Sequence, residues 1–216
     1  MWRNLTAVAL SVVALAGSFA AGYKTNAPVE HPHEATRLRM LYQQAEIFPS
    51  GQTIIIGDSR TEGLYIPELR GQKVLNAGIG GTDLAFWQKN AEPLVERAKP
   101  STVIVAVGVN DAALEDRTNP AEWEDDYRDL VESLGGHKVI LLPILPIEPG
   151  KPMGDGWFDP TMISRLNSSI SSVATSSGAE LVHPPASLNG QTIDGCHLNA
   201  QGATRIIKLL DRSGAG

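Results

Sequence analysis

From Thr36 onward, short β-branched or aliphatic runs alternate with longer stretches that are apolar at helical spacing, and no other feature of the chain restricts its fold so strongly. Five runs read as strands: Thr53 to Ile56, Lys73 to Leu75, Thr102 to Val107, Lys138 to Leu142 and, more weakly, Glu180 to Val182. The stretches Thr36 to Ile47, Asp83 to Ala98, Pro120 to Leu134, Pro160 to Ser177 and Asn199 to Leu210 read as helices, each bounded by Gly, Pro, Asn or Asp. Strands that are apolar without a break belong in a sheet covered on both faces. The pattern therefore predicts an α/β fold around a five-stranded parallel sheet. Ligands of such sheets bind beyond the carboxyl ends of the strands, so chemistry is to be sought in the residues that follow each strand.

Composition narrows the function classes. A chain of 216 residues suggests one domain, or one domain plus an appendage, since domains run to about 100–200 residues. With 42% apolar and 19% charged residues it has the make-up of a globular protein. Eighteen Lys and Arg stand against 24 Asp and Glu, a net charge of −6, and no basic run is present, which argues against a nucleic-acid partner. The single cysteine, Cys196, excludes an intramolecular disulfide framework and a multi-cysteine zinc site, and leaves the compartment open.

The compartment signal is at the start. Arg3 precedes a charge-free run from Leu5 to Ala21, which reads as an export signal with a small-residue cleavage site, Ser18-Phe19-Ala20. The alternative is a retained anchor, Leu5 to Tyr23, whose 19 residues approach the roughly 20 needed to span a bilayer. Either way the domain is expected outside the cytoplasm, periplasmic or extracellular, with contact to a membrane only through that anchor. The expected organisation is residues 1–22 as signal or anchor, 23–36 as a proline-bearing linker and 37–216 as the folded domain. His31 and His33 flank a proline in that linker and read as solvated rather than as a metal pair.

Three strand ends carry polar, glycine-rich segments. Gly57-Asp58-Ser59-Arg60 follows the first strand, Asn76-Ala77-Gly78-Ile79-Gly80-Gly81 the second and Gly108-Val109-Asn110-Asp111 the third; Asp194-Gly195-Cys196-His197 precedes the last helix. A serine hydroxyl is a weak nucleophile until an imidazole takes its proton, and the imidazole needs a carboxylate to fix its tautomer. Ser59, His197 and Asp194 can fill those roles, the three-residue spacing letting Asp194 turn back to Nδ1 of His197. The backbone N–H groups of Ser59 and Gly81 and the side-chain amide of Asn110 are candidates to meet the charge that develops on a substrate carbonyl oxygen.

Each segment has a plainer reading alone, as a turn or a helix cap; their conjunction at successive strand ends is what carries the acyl-transfer reading. Gly78-x-Gly80 fails as a dinucleotide fingerprint because Asp83 stands at its third position, and Gly-x-Ser-x-Gly fails because Thr61 replaces its last glycine. Cys196 reads as a packed thiol, His137 and His183 as structural, Trp87 and Trp123 as packing, and Asp58 and Asp111 as acceptors for loop backbone. The irregular stretch Glu148 to Pro160 leaves the same rim. Trp157 and Phe158 there either wall a substrate pocket or tuck onto the core.

These four segments resemble the blocks of the SGNH (GDSL-type) hydrolase family, in the family's order and across residues 57 to 197. Arg60 stands where the commonest form has leucine. The resemblance implies a flavodoxin-like three-layer α/β/α fold and metal-free, cofactor-free hydrolysis of esters or thioesters. The chain is accordingly expected to be a serine esterase that works through an acyl-enzyme. Lacking an apolar lid segment, it is expected to favour short acyl groups such as acetyl esters on carbohydrate, so that its partner is an acylated small molecule or polysaccharide. Acyl transfer to a sugar, hydrolysis of lipid or thioester substrates, and a non-catalytic carbohydrate-binding role on the same fold are the alternatives.

Overall fold

The computed structural model describes residues 32–115 and 118–213, so the export signal, the anchor and His31 lie outside the described residues. Among the described residues no helix is long and apolar enough to cross a membrane. The elements in chain order are α1 (Pro32–Ile47), β1 (Thr53–Gly57), α2 (Ser59–Glu62), β2 (Glu68–Leu69), β3 (Gln72–Gly78), α3 (Leu84–Ala98) and β4 (Thr102–Ala106). A 3-10 turn (Asn110–Ala112) follows, then α4 (Pro120–Ser133), β5 (Lys138–Leu141), α5 (Pro160–Ser177), β6 (Glu180–Leu181) and α6 (Ala200–Arg212).

The strand order is β2-β3-β1-β4-β5-β6. Five strands are parallel, as the sequence predicts, and their order in space is the flavodoxin-like one, with β1 between β3 and β4. The sheet has six strands rather than five, because β2 pairs antiparallel with β3. This extra strand is two residues long, closed by a two-residue turn at Arg70 and Gly71, both with positive φ. Helix α1 begins at Pro32, ahead of the expected Thr36, so the last residues of the stretch read as linker are helical. Proline is tolerated in a first helical turn, where its missing N–H has no intrahelical partner to lose.

Successive residues of a strand face opposite sides, and the core divides accordingly. Ile54 and Ile56 of β1 join Val103, Val105, Leu41, Trp87, Tyr127 and Ile170 on the side of α1, α3, α4 and α5. Ile55 joins Ile104, Ile140, Leu64, Ile206 and Leu210 on the side of α6. Burying an isoleucine contributes about 1.5–3 kcal/mol, and β1 buries three of them completely. The strand beneath Ser59 is thus firmly anchored. Trp87 and Trp123 are packing residues as expected, Trp123 stacked on Tyr127 with ring centroids 4.8 Å apart.

Side-chain caps start the helices that leave the rim. Asp58 caps α2, Asp83 caps α3 and Asn199 caps α6, each accepting an N–H from the first turn. The chain leaves β1 toward β3 and crosses back over it to β4. The loops after β1 and β4 therefore diverge, which opens a crevice at the carboxyl end of β1.

Candidate active site

Ser59 is the first residue of α2, the four-residue helix that opens as soon as β1 ends. Its Oγ lies 2.9 Å from Nε2 of His197. Nδ1 of the same ring lies 2.7 Å from Oδ2 of Asp194. Asp194 Oδ1 accepts the backbone N–H groups of His197 at 2.8 Å and Cys196 at 3.0 Å, so the carboxylate is bonded through both oxygens. Partial burial raises the Asp194 pKa, but these bonds outweigh it and hold the group at about 2. At neutral pH Asp194 is ionised, which makes Nδ1 the protonated nitrogen and leaves the Nε2 lone pair facing Ser59.

The sequence pairs Gly81 and Asn110 with Ser59 as donors. The Gly80 N–H is taken by Glu62 Oε2 at 2.6 Å. Among the described residues neither the Gly81 N–H nor the Ser59 N–H has a hydrogen-bond partner. Gly81 has φ +85°, a conformation that favours glycine. Asn110 begins the 3-10 turn after β4, and its Nδ2 donates one hydrogen to Thr82 O at 2.7 Å. That bond orients the amide and leaves its second hydrogen for another acceptor.

Several further residues hold these groups in place. Gly78 meets α2 so closely that a methyl group on it would fall 2.6 Å from Glu62 Cα, so only glycine lets the serine's helix sit against β3. Asn76 Nδ2 donates to the carbonyls of Thr61 and Leu64 at the far end of α2. Thr82, 1% exposed, bonds Ile79 O and accepts the Trp87 indole N–H. Glu62 lies 3.2 Å from His33 Nε2, so that histidine is engaged with the rim although its side chain is 60% exposed. Nothing in the sequence marks Thr82.

The irregular stretch after β5 has two duties. Glu148 N donates to Gly195 O at 2.8 Å and Met153 N to Asp194 O at 2.7 Å, so its main chain braces the segment that carries the carboxylate and imidazole. The Glu148 carboxylate accepts from Thr192 Oγ1 and from Gly190 N and forms an ion pair with Lys151 Nζ at 3.0 Å. Those bonds, the Thr192 hydroxyl foremost, lower its pKa to about 2. The two aromatic residues divide between the readings: Phe158 is 7% exposed and packs on the core, whereas Trp157 is 59% exposed. Both border a groove of about 550 Å³ that also touches Gly81, Asn110, Leu114 and Met153.

Asp58, Asp111, Cys196 and His137 sit as the sequence expects, whereas His183, read as structural, is exposed. Asp58 accepts Arg60 N at 2.8 Å, and Asp111 accepts Leu84 N at 3.2 Å, both as backbone acceptors. Burial pushes both carboxyls up, Asp111 to about 6. Cys196 is a packed thiol, 1% exposed, and His137 Nδ1 lies 2.8 Å from Pro100 O. Among the described residues no cluster of three or more His, Cys, Asp or Glu is arranged to hold a metal ion.

A hydroxyl in hydrogen-bond reach of an imidazole that in turn bonds a carboxylate, at the end of a parallel sheet, defines a class: serine hydrolases. The model of the GDSL-like Lipase/Acylhydrolase family matches residues 55–205, most of the chain, and the protein belongs to that family of ester hydrolases. No curated protein matches it by sequence. Among solved structures it is similar to a Streptococcus pneumonia protein named for platelet activating factor, with TM-score 0.72 and 19% identity over 94% of this chain and 97% of that one. It is also similar to a lipase/acylhydrolase from Enterococcus faecalis, with TM-score 0.61 and 20% identity over 74% and 94%. The acetyl xylan esterase AlAXEase gives TM-score 0.63 and 22% identity over 73% and 97%. At such identities the likeness is one of fold.

Proposed function

We propose that this protein is an exported serine esterase that removes short acyl groups, acetyl above all, from carbohydrate. The observation that carries the reading is the continuous relay from Ser59 Oγ through both nitrogens of His197 to Asp194, at 2.9 and 2.7 Å. In this mechanism Ser59 Oγ attacks the acyl carbon as Nε2 of His197 takes its proton, and Asp194 stabilises the imidazolium. The oxyanion is met by the N–H groups of Ser59 and Gly81 and by the Asn110 amide. His197 then returns the proton to the departing sugar oxygen, and water, deprotonated by the same imidazole, releases the acid. Replacing Asn110 by alanine is expected to lower kcat by on the order of 10²–10³ with little change in KM, measured on p-nitrophenyl acetate.

The substrate assignment rests on the groove. At about 550 Å³ it is far larger than an acetyl group, so the remainder of the substrate is what fills it. The exposed indole of Trp157 offers a flat apolar face, and Glu115 and Asn110 offer polar partners, a combination suited to a sugar ring. One protein of the same fold, AlAXEase, is an acetyl xylan esterase. Export is supported by Arg3 followed by the charge-free run Leu5 to Ala21.

The test is a series of p-nitrophenyl esters from acetate to octanoate, followed by acetate release from acetylated polysaccharides. Acetate should be preferred over octanoate by at least about tenfold, since each methylene that must be accommodated is worth about 1–3 kcal/mol. A preference for octanoate would redirect the assignment to lipid. Trp157→Ala should raise KM for the acetylated polysaccharide about tenfold while leaving p-nitrophenyl acetate hydrolysis unchanged, because stacking on an aromatic face contributes on the order of 1 kcal/mol or more.

A further inference from the structure

Arg60, the residue after Ser59, is 7% exposed. Its surroundings are largely apolar, with Leu64, Leu142, Leu198 and Ile206 around the same small cavity. Within them its Nε donates to Cys196 Sγ at 3.3 Å and its Nη1 to Leu145 O at 2.7 Å, while Nη2 has no partner. The neighbouring carboxyl, Asp58, is 2% exposed, and its burial raises its pKa while the Arg60 charge opposes that rise. A guanidinium buried with part of its fork unbonded is a poor way to stabilise a core, and an apolar side chain of similar size would serve the packing at least as well.

What the guanidinium does achieve is a link. It starts on the turn that presents Ser59, reaches the chain just beyond β5, and ends on the thiol next to His197 in sequence. The backbone N–H of that same Cys196 donates to Asp194 Oδ1. A planar fork holds two acceptors at fixed separation, which a flexible ammonium cannot do.

We propose that Arg60 is a positioning residue: by bridging the Ser59 turn to Cys196 Sγ and Leu145 O, its guanidinium sets the distance at which His197 Nε2 meets Ser59 Oγ. This rests on the serine esterase reading above and assigns to the buried cation a task that packing leaves unexplained. Misplacing a catalytic group by about 1 Å can cost on the order of 10²-fold in rate. The effect therefore belongs in kcat and in the reactivity of Ser59, while substrate affinity stays as it was.

The experiment compares wild type with Arg60→Leu in the full chain. It reads kcat and KM on p-nitrophenyl acetate, the rate constant for covalent labelling by a fluorophosphonate, the number of sites labelled per chain, and Tm. Leucine fits the apolar surroundings, and Asp58, already pushed up by burial, can take a proton when its counter-charge is gone, so the variant is expected to keep its Tm. Labelling stoichiometry should stay near one per chain, kcat and the labelling rate constant should fall by about 10- to 100-fold, and KM should change less than about threefold. A merely structural role would lower Tm or stoichiometry and leave the rate per labelled site intact; that result, or wild-type rates throughout, overturns the proposal. Should Arg60→Leu not fold, Cys196→Ala decides, since it removes only the sulfur acceptor: a fall of several-fold in kcat at unchanged KM is expected, and an unchanged kcat overturns the assignment. A wild-type chain that takes no label overturns the esterase reading and Arg60 with it. A wild type that labels beside an Arg60→Leu that labels equally fast overturns Arg60 alone.

Discussion

Replacing Ser59 by alanine is expected to reduce turnover of p-nitrophenyl acetate by on the order of 10⁴- to 10⁶-fold and to abolish fluorophosphonate labelling. The size follows from what the hydroxyl supplies. Without it no acyl-enzyme forms, and only the N–H donors and substrate binding remain to favour the reaction over that in bulk water. The fold should not suffer: among the described residues the side chain has one hydrogen-bond partner, His197 Nε2, and α2 is capped by Asp58 rather than by the serine. Loss of activity at unchanged Tm is the expected pair of results, and turnover near the wild-type rate would remove Ser59 from the mechanism.

Asp194→Asn is expected to cost about 10⁴-fold in kcat while leaving the protein folded. An asparagine Oδ1 can still accept the N–H groups of Cys196 and His197, so the turn is kept. Its Nδ2, however, would face Nδ1 of the imidazole as a donor, which drives the ring proton to Nε2 and blocks uptake of the serine proton. The same carboxylate bears on stability in acid. A carboxyl whose folded pKa is about 2, below the ordinary 3.8, contributes stability that is in place above the unfolded value and is lost as pH falls from about 4 through about 2. From pH 4 to 8 Asp194 thus stays charged. A fall in kcat/KM on acidification within that interval is therefore expected to come from groups other than Asp194, with Asp111, which burial holds at about 6, among those that change protonation there, and the rate measured against pH checks it.

The strands and helices were legible because each is long enough for its period to repeat. The five parallel strands and the large helices, α3 to α6, lie within a few residues of where the apolar spacing puts them. Asp83 and Asn199, taken as first helical residues, turn out to be caps. Strand β2 escaped because two residues carry no alternation, and its turn residue Arg70 gives no hint of a positive φ. The start of α1 escaped because its first turn is polar and buries only Leu41 and Ala45 further along. At the site, Ser59, His197 and Asp194 were legible because the reaction demands those chemical types and the strand ends say where to look. Arg60 and Glu62 were not, since their partners lie 136 and 18 residues away and become neighbours only once the sheet has formed.

The segments after β4 and β5 are joined to each other by main-chain bonds. Ala113 and Phe158 form an antiparallel bridge, Leu114 N donates to Trp157 O at 3.0 Å, and Asp159 N donates to Ala112 O at 2.9 Å. Exchange of one segment alone would break the ladder that shapes the groove. Transplanted as a matched pair from a relative, the two could retune selectivity provided that Asn110 and the main-chain bonds from Glu148 and Met153 to Gly195 and Asp194 were kept.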